Sequence, residues 1–372
     1  MKVAIITDPC YFPSGVKTYV DNLVENLLMI HDETYIVHSK KDGELFPSAR
    51  QLILPSLYRS SAAAMSIFDI HRPVLLRKYR FDVVHYTHNH VPLSFWASGS
   101  KTICTVHGVA SLSHPQFHSI ASRILWRVSA LLNRRIDVVL ADSNYAKEAI
   151  IQFLGVRPEK IRVIYHGVGR EFKPQKKLNE TKDELDSKFG IGAPFILNVN
   201  GYRPIKNVVT LVKAFAEIKK LGIQHKLVLV GKPIDPSHEA MKAIMDLGLE
   251  KEVVITGYVP KKDLLKLYGL ADLYVIPSFK ESFGLPLLEA MACGCPVIAS
   301  NVTALPEVGG DAVVFFDPYN YEELAKKMYR LLTNNELRSH FSRKALERAR
   351  QFSWEKCAQE HLDVYNEVCQ QT

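Results

Sequence analysis

The 372-residue sequence has no apolar run approaching the roughly 20 residues that a membrane-crossing helix needs. It has no Asp-x-Asp anywhere, so the usual carboxylate clamp for a divalent cation is missing and no metal is expected. Its six cysteines never fall at C-x-x-C spacing; Cys293 and Cys295 only flank Gly294, and all six read as free thiols of a reducing cytosol. There is no zinc-finger spacing and no basic–aromatic motif of the kind that reads nucleic acid, which puts nucleic acid last among anionic partners. The chain opens directly on the apolar stretch 3–6, so no signal peptide is expected ahead of it.

What is present points to a soluble enzyme-sized protein. Apolar residues make up 47% and charged residues 23%, ordinary values for globular chains, and the length allows two full cores. The net charge of +8 is unevenly placed. Residues 1–180 hold 23 Lys and Arg against 15 Asp and Glu, while residues 181–372 hold 24 of each, so the whole excess lies in the first half. An anionic membrane surface or an anionic substrate would suit that half.

Short apolar stretches alternate with helical patterns along the chain. Strands are expected at 3–6, 35–37, 52–54, 83–85, 103–106, 138–140 and 161–164. The polar segment 171–192 then marks a junction, and strands resume at 195–199, 227–230, 253–255, 273–276, 297–299 and 313–315. This alternation predicts an α/β protein of two Rossmann-like, doubly wound parallel sheets, with domains at 1–172 and 173–372. Ligands in such sheets bind beyond the carboxyl ends of the strands. His85, His88, His107 and His166 all fall at or just past strand ends. Gly15 opens the first helix, where a glycine lets a ligand approach the backbone, and Val16, Tyr19, Val20, Leu23, Val24, Leu27 and Leu28 give that helix one buried stripe. In residues 120–135, Ile120, Ile124, Leu125, Val128, Leu131 and Leu132 form an apolar face flanked by Arg123, Arg127 and Arg134. Two readings stay open: a core-packed helix whose arginine stems cover its flank, or a helix lying on anionic headgroups. A final helix is expected over about 353–370, with Ser353 as N-cap.

Residues 281–289 read ESFGLPLLE, between two buried strands. Proline tolerates the first position of a helix, so Pro286 predicts a helix start whose free N–H groups at Phe283, Gly284 and Leu285 suit a phosphate. Glu281 lies ahead of that start and Glu289 is expected within its first turn. Two acids flanking a phosphate site suit a nucleotide sugar; alone, they would equally suit solvent and a helix dipole. Upstream, NGYRPIKN places Arg203 and Lys206 in a loop after the strand 195–199. Cations fixed there would stabilise the charge growing on a leaving diphosphate.

Together these residues resemble the E-x7-E motif of retaining glycosyltransferases of the family-four type, over essentially the whole chain. The resemblance implies the GT-B fold, with two Rossmann-like domains facing across a cleft and the last helix packing back on the first domain. It implies that Glu289 binds the ribose and Glu281 the hydroxyls of the donor sugar. Phe283, Gly284 and Leu285 offer amides to sugar and phosphate. Gly231 and the Tyr258-Val259 pair form donor-site turns, the second beside the base, and the segment 303–307 lies near the diphosphate. His107 matches the histidine of the family's His-Asp pair, with Gly108 in place of the aspartate. His166-Gly167-Val168 matches its Asn-Gly-Val turn, and Ser14-Gly15 stands where a glycine pair is usual. Lys206 matches the family's lysine, and Arg203 stands closer to it than is common there.

The expected activity is therefore metal-independent, retaining transfer of a hexose from a nucleotide-diphosphate sugar to a glycan or lipid-linked acceptor. The mannosyltransferase-like look of the Lys-Asn pair and ESFGLP makes GDP-mannose the first donor to try. No separate cofactor is expected, and the place of action is the cytoplasm, with a peripheral position on the inner face of the membrane. The alternatives are transfer to a small-molecule acceptor, or a non-catalytic sugar-nucleotide-binding protein of the same fold.

Overall fold

The computed structural model describes residues 1–7, 14–39, 46–54, 67, 69–113, 119–175, 178–192, 194–231, 235 and 237–370. The turn at 9–13 that leads towards Gly15 lies outside the described residues. The chain forms two compact units, one of Met1–Gly167 with Ser353–Thr372, the other of Val168–Phe352.

The first unit is built on seven strands: β1 (Val3–Ile6), β2 (Thr34–His38), β3 (Arg50–Ile53), β4 (Val83–Tyr86), β5 (Lys101–Val106), β6 (Val138–Ala141) and β7 (Ile161–Val163). Their order is β3-β2-β1-β4-β5-β6-β7, and every pairing is parallel. β1, β4 and β6 are buried at every position, which is why β1 and β6 read as unbroken apolar runs and β4 is interrupted only by His85. Order reverses between β1 and β4, so the crevice of a doubly wound sheet opens there.

Helix Gly15–Ile30 is capped by Ser14, whose hydroxyl accepts from Lys17 N, and buries Tyr19, Val20, Leu23, Val24 and Leu27. Helix Trp354–Gln370 packs against it. A chain of buried hydrogen bonds joins the two to the sheet. His361 Nδ1 lies 2.7 Å from the Cys357 carbonyl, and Nε2 lies 2.8 Å from Tyr19 Oη. Tyr19 Oη meets Thr105 Oγ1 at 2.9 Å, Thr105 meets His85 Nε2 at 2.8 Å, and His85 Nδ1 meets Tyr365 Oη at 2.7 Å. A carbonyl can only accept, so every proton in the chain follows from it. His361 donates from Nδ1 and accepts from Tyr19; Thr105 donates to Tyr19; His85 donates to Thr105 and accepts from Tyr365. Both rings must be neutral for this, and burial holds them so, pushing His361 down to about 4 and His85 well below its usual value.

Helix Ile120–Asn133 keeps half of the expected face, with Leu125, Val128 and Leu132 against the core, and departs from the rest. Its buried face is Trp126, Ser129, Ala130, Leu132 and Asn133, while Ile120, Ile124 and Leu131 are exposed. The polar residues go inward because they have partners: Ser129 Oγ bonds His90 Nδ1 at 2.8 Å and donates to Asn89 O at 3.1 Å. The arginine row is also broken, since Arg134 Nε donates to Leu154 O at 2.7 Å across the C-terminus of helix Asn144–Leu154.

The second unit repeats the plan with β8 (Phe195–Val199), β9 (Lys226–Val230), β10 (Val253–Gly257), β11 (Leu273–Ile276), β12 (Val297–Ser300) and β13 (Val314–Phe316). The order is β10-β9-β8-β11-β12-β13, again wholly parallel. The reversal falls between β8 and β11, so the loops after these two strands flank the crevice.

Candidate active site

The loop after β8 carries Arg203 and Lys206, and the loop after β11 carries Glu281; both therefore reach the crevice. Lys206 closes the short 3-10 turn Pro204–Lys206, and the next residue, Asn207, takes a left-handed conformation at φ 55°. Its amide nitrogen donates to Pro277 O at 3.0 Å and to Pro318 O at 2.9 Å, and Phe279 N donates to Ile205 O at 2.9 Å. These bonds lock the two loops together. Lys206 Nζ then stands 2.7 Å from Glu281 Oε1, and Ser278 Oγ donates to the same oxygen at 2.7 Å. The side chains of Lys206 and Glu281 are 15% and 12% exposed, so the pair is largely withdrawn from water yet still reachable. Arg203 is exposed and joins the pair only through its shared loop.

Glu281 is fixed by its backbone as well. Its N–H donates to Thr303 Oγ1 at 3.0 Å, and Thr303 sits at φ 60°, a costly conformation for a β-branched residue. The strained threonine belongs to the 303–307 segment expected near the diphosphate.

The helix of the E-x7-E motif spans Leu285–Ala292 with Gly284 as its N-cap at φ 97°, a value that favours glycine. Pro286 is thus the second helical residue rather than the first, and Glu289 lies past the first turn, which holds no acid. The shift follows from Gly284, whose left-handed conformation makes it the N-cap and lets the helix begin one residue earlier, at Leu285. Phe283 turns its ring inward against Phe352, at 6.0 Å, so only its backbone is left for a ligand. Glu289 accepts a hydrogen bond of 2.9 Å from Tyr268 Oη. Burial pushes its carboxyl up to about 7, against the opposing pull of the Tyr268 hydrogen bond and of Lys261. It is not bonded to the Lys206–Glu281 pair among the described residues; Tyr274 of β11 lies close enough to feel both carboxylates.

Gly231 ends β9 and donates to Gly257 O at 3.2 Å, which joins it to the turn holding Tyr258 and Val259. A Cβ at Gly231 would lie 2.0 Å from Asn200 O, so backbone crowding alone demands glycine there. Tyr258 is 57% exposed, an aromatic face open to a planar ligand.

In the first unit, no described residue lies within 4 Å of where a Cβ at Gly15 would stand. His107, just past β5, has Nε2 3.0 Å from Thr87 O and Nδ1 3.7 Å from Asp142 Oδ2. Both ring nitrogens thus face acceptors of the same unit. His166 Nε2 lies 3.5 Å from that same carboxylate oxygen. His85 and His88 are buried, and His85 serves the hydrogen-bond chain rather than an open edge. Sequence reasoning passed over Asp142, Ser278 and Tyr268, and used Asn207 only as half of the Lys-Asn pair. Asp142 follows a strand, as the histidines do, and that position was its only signal.

Known proteins match both halves. Residues 13–172 match the family Glycosyltransferase Family 4, and residues 181–348 match Glycosyl transferases group 1. The O-antigen chain mannosyltransferase B of Escherichia coli is 26% identical, over 98% of this chain and 99% of its own length. The serotype-specific mannosyltransferase WbdA of Escherichia coli is 29% identical over 73% of this chain, which corresponds to 34% of that longer protein. Among solved structures, Anabaena Alr3699/HepE in complex with UDP and glucose superposes with a TM-score of 0.81 at 20% identity, over 99% of this chain and 100% of that one. Sucrose-phosphate synthase from Thermosynechococcus elongatus gives 0.80 at 22% identity, over the whole of both chains. The two family matches, the mannosyltransferase relatives and the shared fold place this chain among the GT-B glycosyltransferases of the family-four type, with the mannosyltransferases its kin.

Proposed function

We propose that the protein transfers a hexose, mannose first, from a nucleotide-diphosphate sugar to a glycan or lipid-linked acceptor, with retention at the anomeric carbon and without a metal at the diphosphate. The observation that carries this reading is the Lys206–Glu281 pair, 2.7 Å apart where the loops after β8 and β11 meet. Lys206, with Arg203 on the same loop, supplies the positive charge that a leaving diphosphate requires, and a preorganised charge in a partly dry site acts without reorganising. Glu281, turned by Ser278 and Thr303, takes hydroxyls of the donor sugar. Glu289 takes the ribose, its Tyr268 partner holding the carboxyl in place, and the exposed ring of Tyr258 lies against the base. Phe283, Gly284 and Leu285 offer amides, and Gly231 and the Tyr258-Val259 pair form the turns around the donor. The mannosyltransferase relatives favour GDP-mannose, and the UDP and glucose bound to the Anabaena protein make UDP-glucose the donor to compare.

Retention needs either a nucleophilic carboxylate on the far face of the sugar or a front-face route, in which the leaving phosphate takes the acceptor's proton. Two donors already converge on Glu281 Oε1, at 2.7 Å each, which suits a binding group better than a nucleophile. The front-face route is the reading adopted. Donor turnover followed by NMR of the product should give the anomeric configuration of the donor. Glu281→Gln should weaken transfer without abolishing it, and mass spectrometry with donor alone should find no glycosylated protein. A sugar attached to Glu281, or an inverted product, would overturn the assignment.

A further inference from the structure

We propose that His107, Asp142 and His166 form a binding site for a first-row transition-metal dication, zinc being the ion best suited to it. The topology brings the three together. β5, β6 and β7 are neighbouring parallel strands, and each delivers one ligand just beyond its carboxyl end: His107 directly after β5, Asp142 directly after β6, His166 three residues after β7. One ligand atom from each lies within 4.8 Å of the other two. His107 Nδ1 and His166 Nε2 stand 3.7 and 3.5 Å from Asp142 Oδ2.

Those spacings discriminate between a proton and a larger cation. A charge-assisted N–H···O bond draws its atoms to about 2.7–2.9 Å. Ligands about 2.0–2.1 Å from a tetrahedral zinc stand about 3.3–3.4 Å apart, close to what is seen here. His107 Nε2, 3.0 Å from Thr87 O, donates to that carbonyl, which turns the lone pair of Nδ1 towards the carboxylate. A histidine ligand whose other N–H is tied to a backbone carbonyl is the common outer-sphere arrangement around metals. Asp142 Oδ1 is buried without a hydrogen-bond partner among the described residues, so the carboxylate has capacity left.

The rings are held in place by packing: His166 stacks on Trp354 at 5.6 Å, and Tyr19 lies 4.7 Å from His107. The three side chains are 10%, 2% and 4% exposed, His107 being the open side through which an ion enters. Two imidazoles and a carboxylate favour zinc, cobalt or copper over magnesium, which prefers oxygen ligands alone.

The site lies wholly within the first unit and does not rest on the transfer reading, which gives none of these three residues a part. The decisive readout is the visible spectrum of Co2+ added to chelator-stripped protein. One equivalent should give the intense bands of four- or five-coordinate cobalt, displaced by one equivalent of Zn2+. Asp142→Asn and His166→Gln should each weaken binding by more than about a hundredfold, beyond the 10–100-fold typical of lost outer-sphere partners, whereas Lys206→Ala should leave the spectrum unchanged. Only weak six-coordinate bands, or bands untouched by both substitutions, overturn the proposal. Should neither variant fold, NMR of the wild-type protein decides: Zn2+ must shift the ring signals of His107 and His166, and unshifted signals overturn it. None of these readouts involves donor turnover, so the transfer reading stands or falls apart from this one.

Discussion

The two units share one architecture and differ in how they handle charge at their strand ends. The first unit holds eleven of the fourteen histidines, and those around its sheet are buried: His85, His88, His90, His166 and His361 are each under 10% exposed. The second holds three histidines and instead sets a lysine against a glutamate at its switch point. Buried neutral rings with ordered protons specify geometry and are sensitive to acid. A largely withdrawn ion pair stores charge ready to meet a charged ligand. The same sheet can therefore be tuned for position in one half and for charge compensation in the other.

The largest test of that contrast is at the ion pair. Lys206→Ala should lower turnover about a hundredfold or more, roughly 3–4 kcal/mol of transition-state stabilisation, while EDTA leaves the wild-type rate standing. Loss of activity in EDTA with recovery on adding magnesium or manganese would move the charge compensation to a metal and erase the difference between the units. The next effect lies in the first unit and in acid. His361 falls from an ordinary 6.5 to about 4 on folding, so between those values the unfolded chain binds the extra proton. Stability contributed by the neutral ring is complete above pH 6.5 and drains away as pH falls towards 4, by about 3 kcal/mol. Denaturant titrations at pH 7 and 4.5 should show that loss, and His361→Gln should lose correspondingly less. An equal loss in both proteins would sink the idea.

Further effects sharpen the comparison. The exposed Ile120, Ile124 and Leu131, together with Arg123 and Arg127, suit an anionic lipid surface. Replacing the two arginines with Gln should cost about 1 kcal/mol each in binding to anionic vesicles, and added salt should act likewise; equal binding to neutral vesicles rules the surface out. Arg134 should matter to stability instead, since it is bonded to Leu154 O. A last effect, comparable in size to that at His361, sits at Glu289, whose carboxyl is raised from 4.5 to about 7. Its native state holds the proton more tightly than the unfolded chain, so the wild type loses stability as pH rises from 4.5 through 7. Glu289→Gln should gain on the wild type across that window and level off above it, as melting temperatures would report.

The parallel sheets were legible in the sequence because strands buried on both faces must be apolar throughout, and each apolar run expected within the described residues became a strand, with bounds shifted by a residue or two. The E-x7-E stretch was legible because Gly284 and Pro286 announce a helix start, although the left-handed Gly284 moved that start by one residue. The face of helix Ile120–Asn133 was read half right: Leu125, Val128 and Leu132 meet the core, while Ile120, Ile124 and Leu131 do not, for a physical reason. Apolar periodicity cannot foresee that Ser129 and Asn133 find buried partners in the 89–90 loop while isoleucines stay outside. Asp142 escaped because its weight comes from His107 and His166, far away in the chain, and Ser278 because a serine three residues before a glutamate is too common a spacing to mark a bond.

The first unit also has an awkward order of assembly. Its sheet and helix Gly15–Ile30 emerge from the ribosome well before the helix Trp354–Gln370 that covers Tyr19, Thr105 and His85, because all 185 residues from Val168 to Phe352 come between. At about 5–20 residues per second that interval lasts on the order of 10–40 s. During it the polar atoms of Tyr19 and His85 lack the partners that order their protons, while the second unit, continuous in sequence, is free to fold first. The nascent first unit thus waits, partly uncovered, for a segment made after its neighbour is complete, and any chain stopped short of residue 353 would keep that wound open.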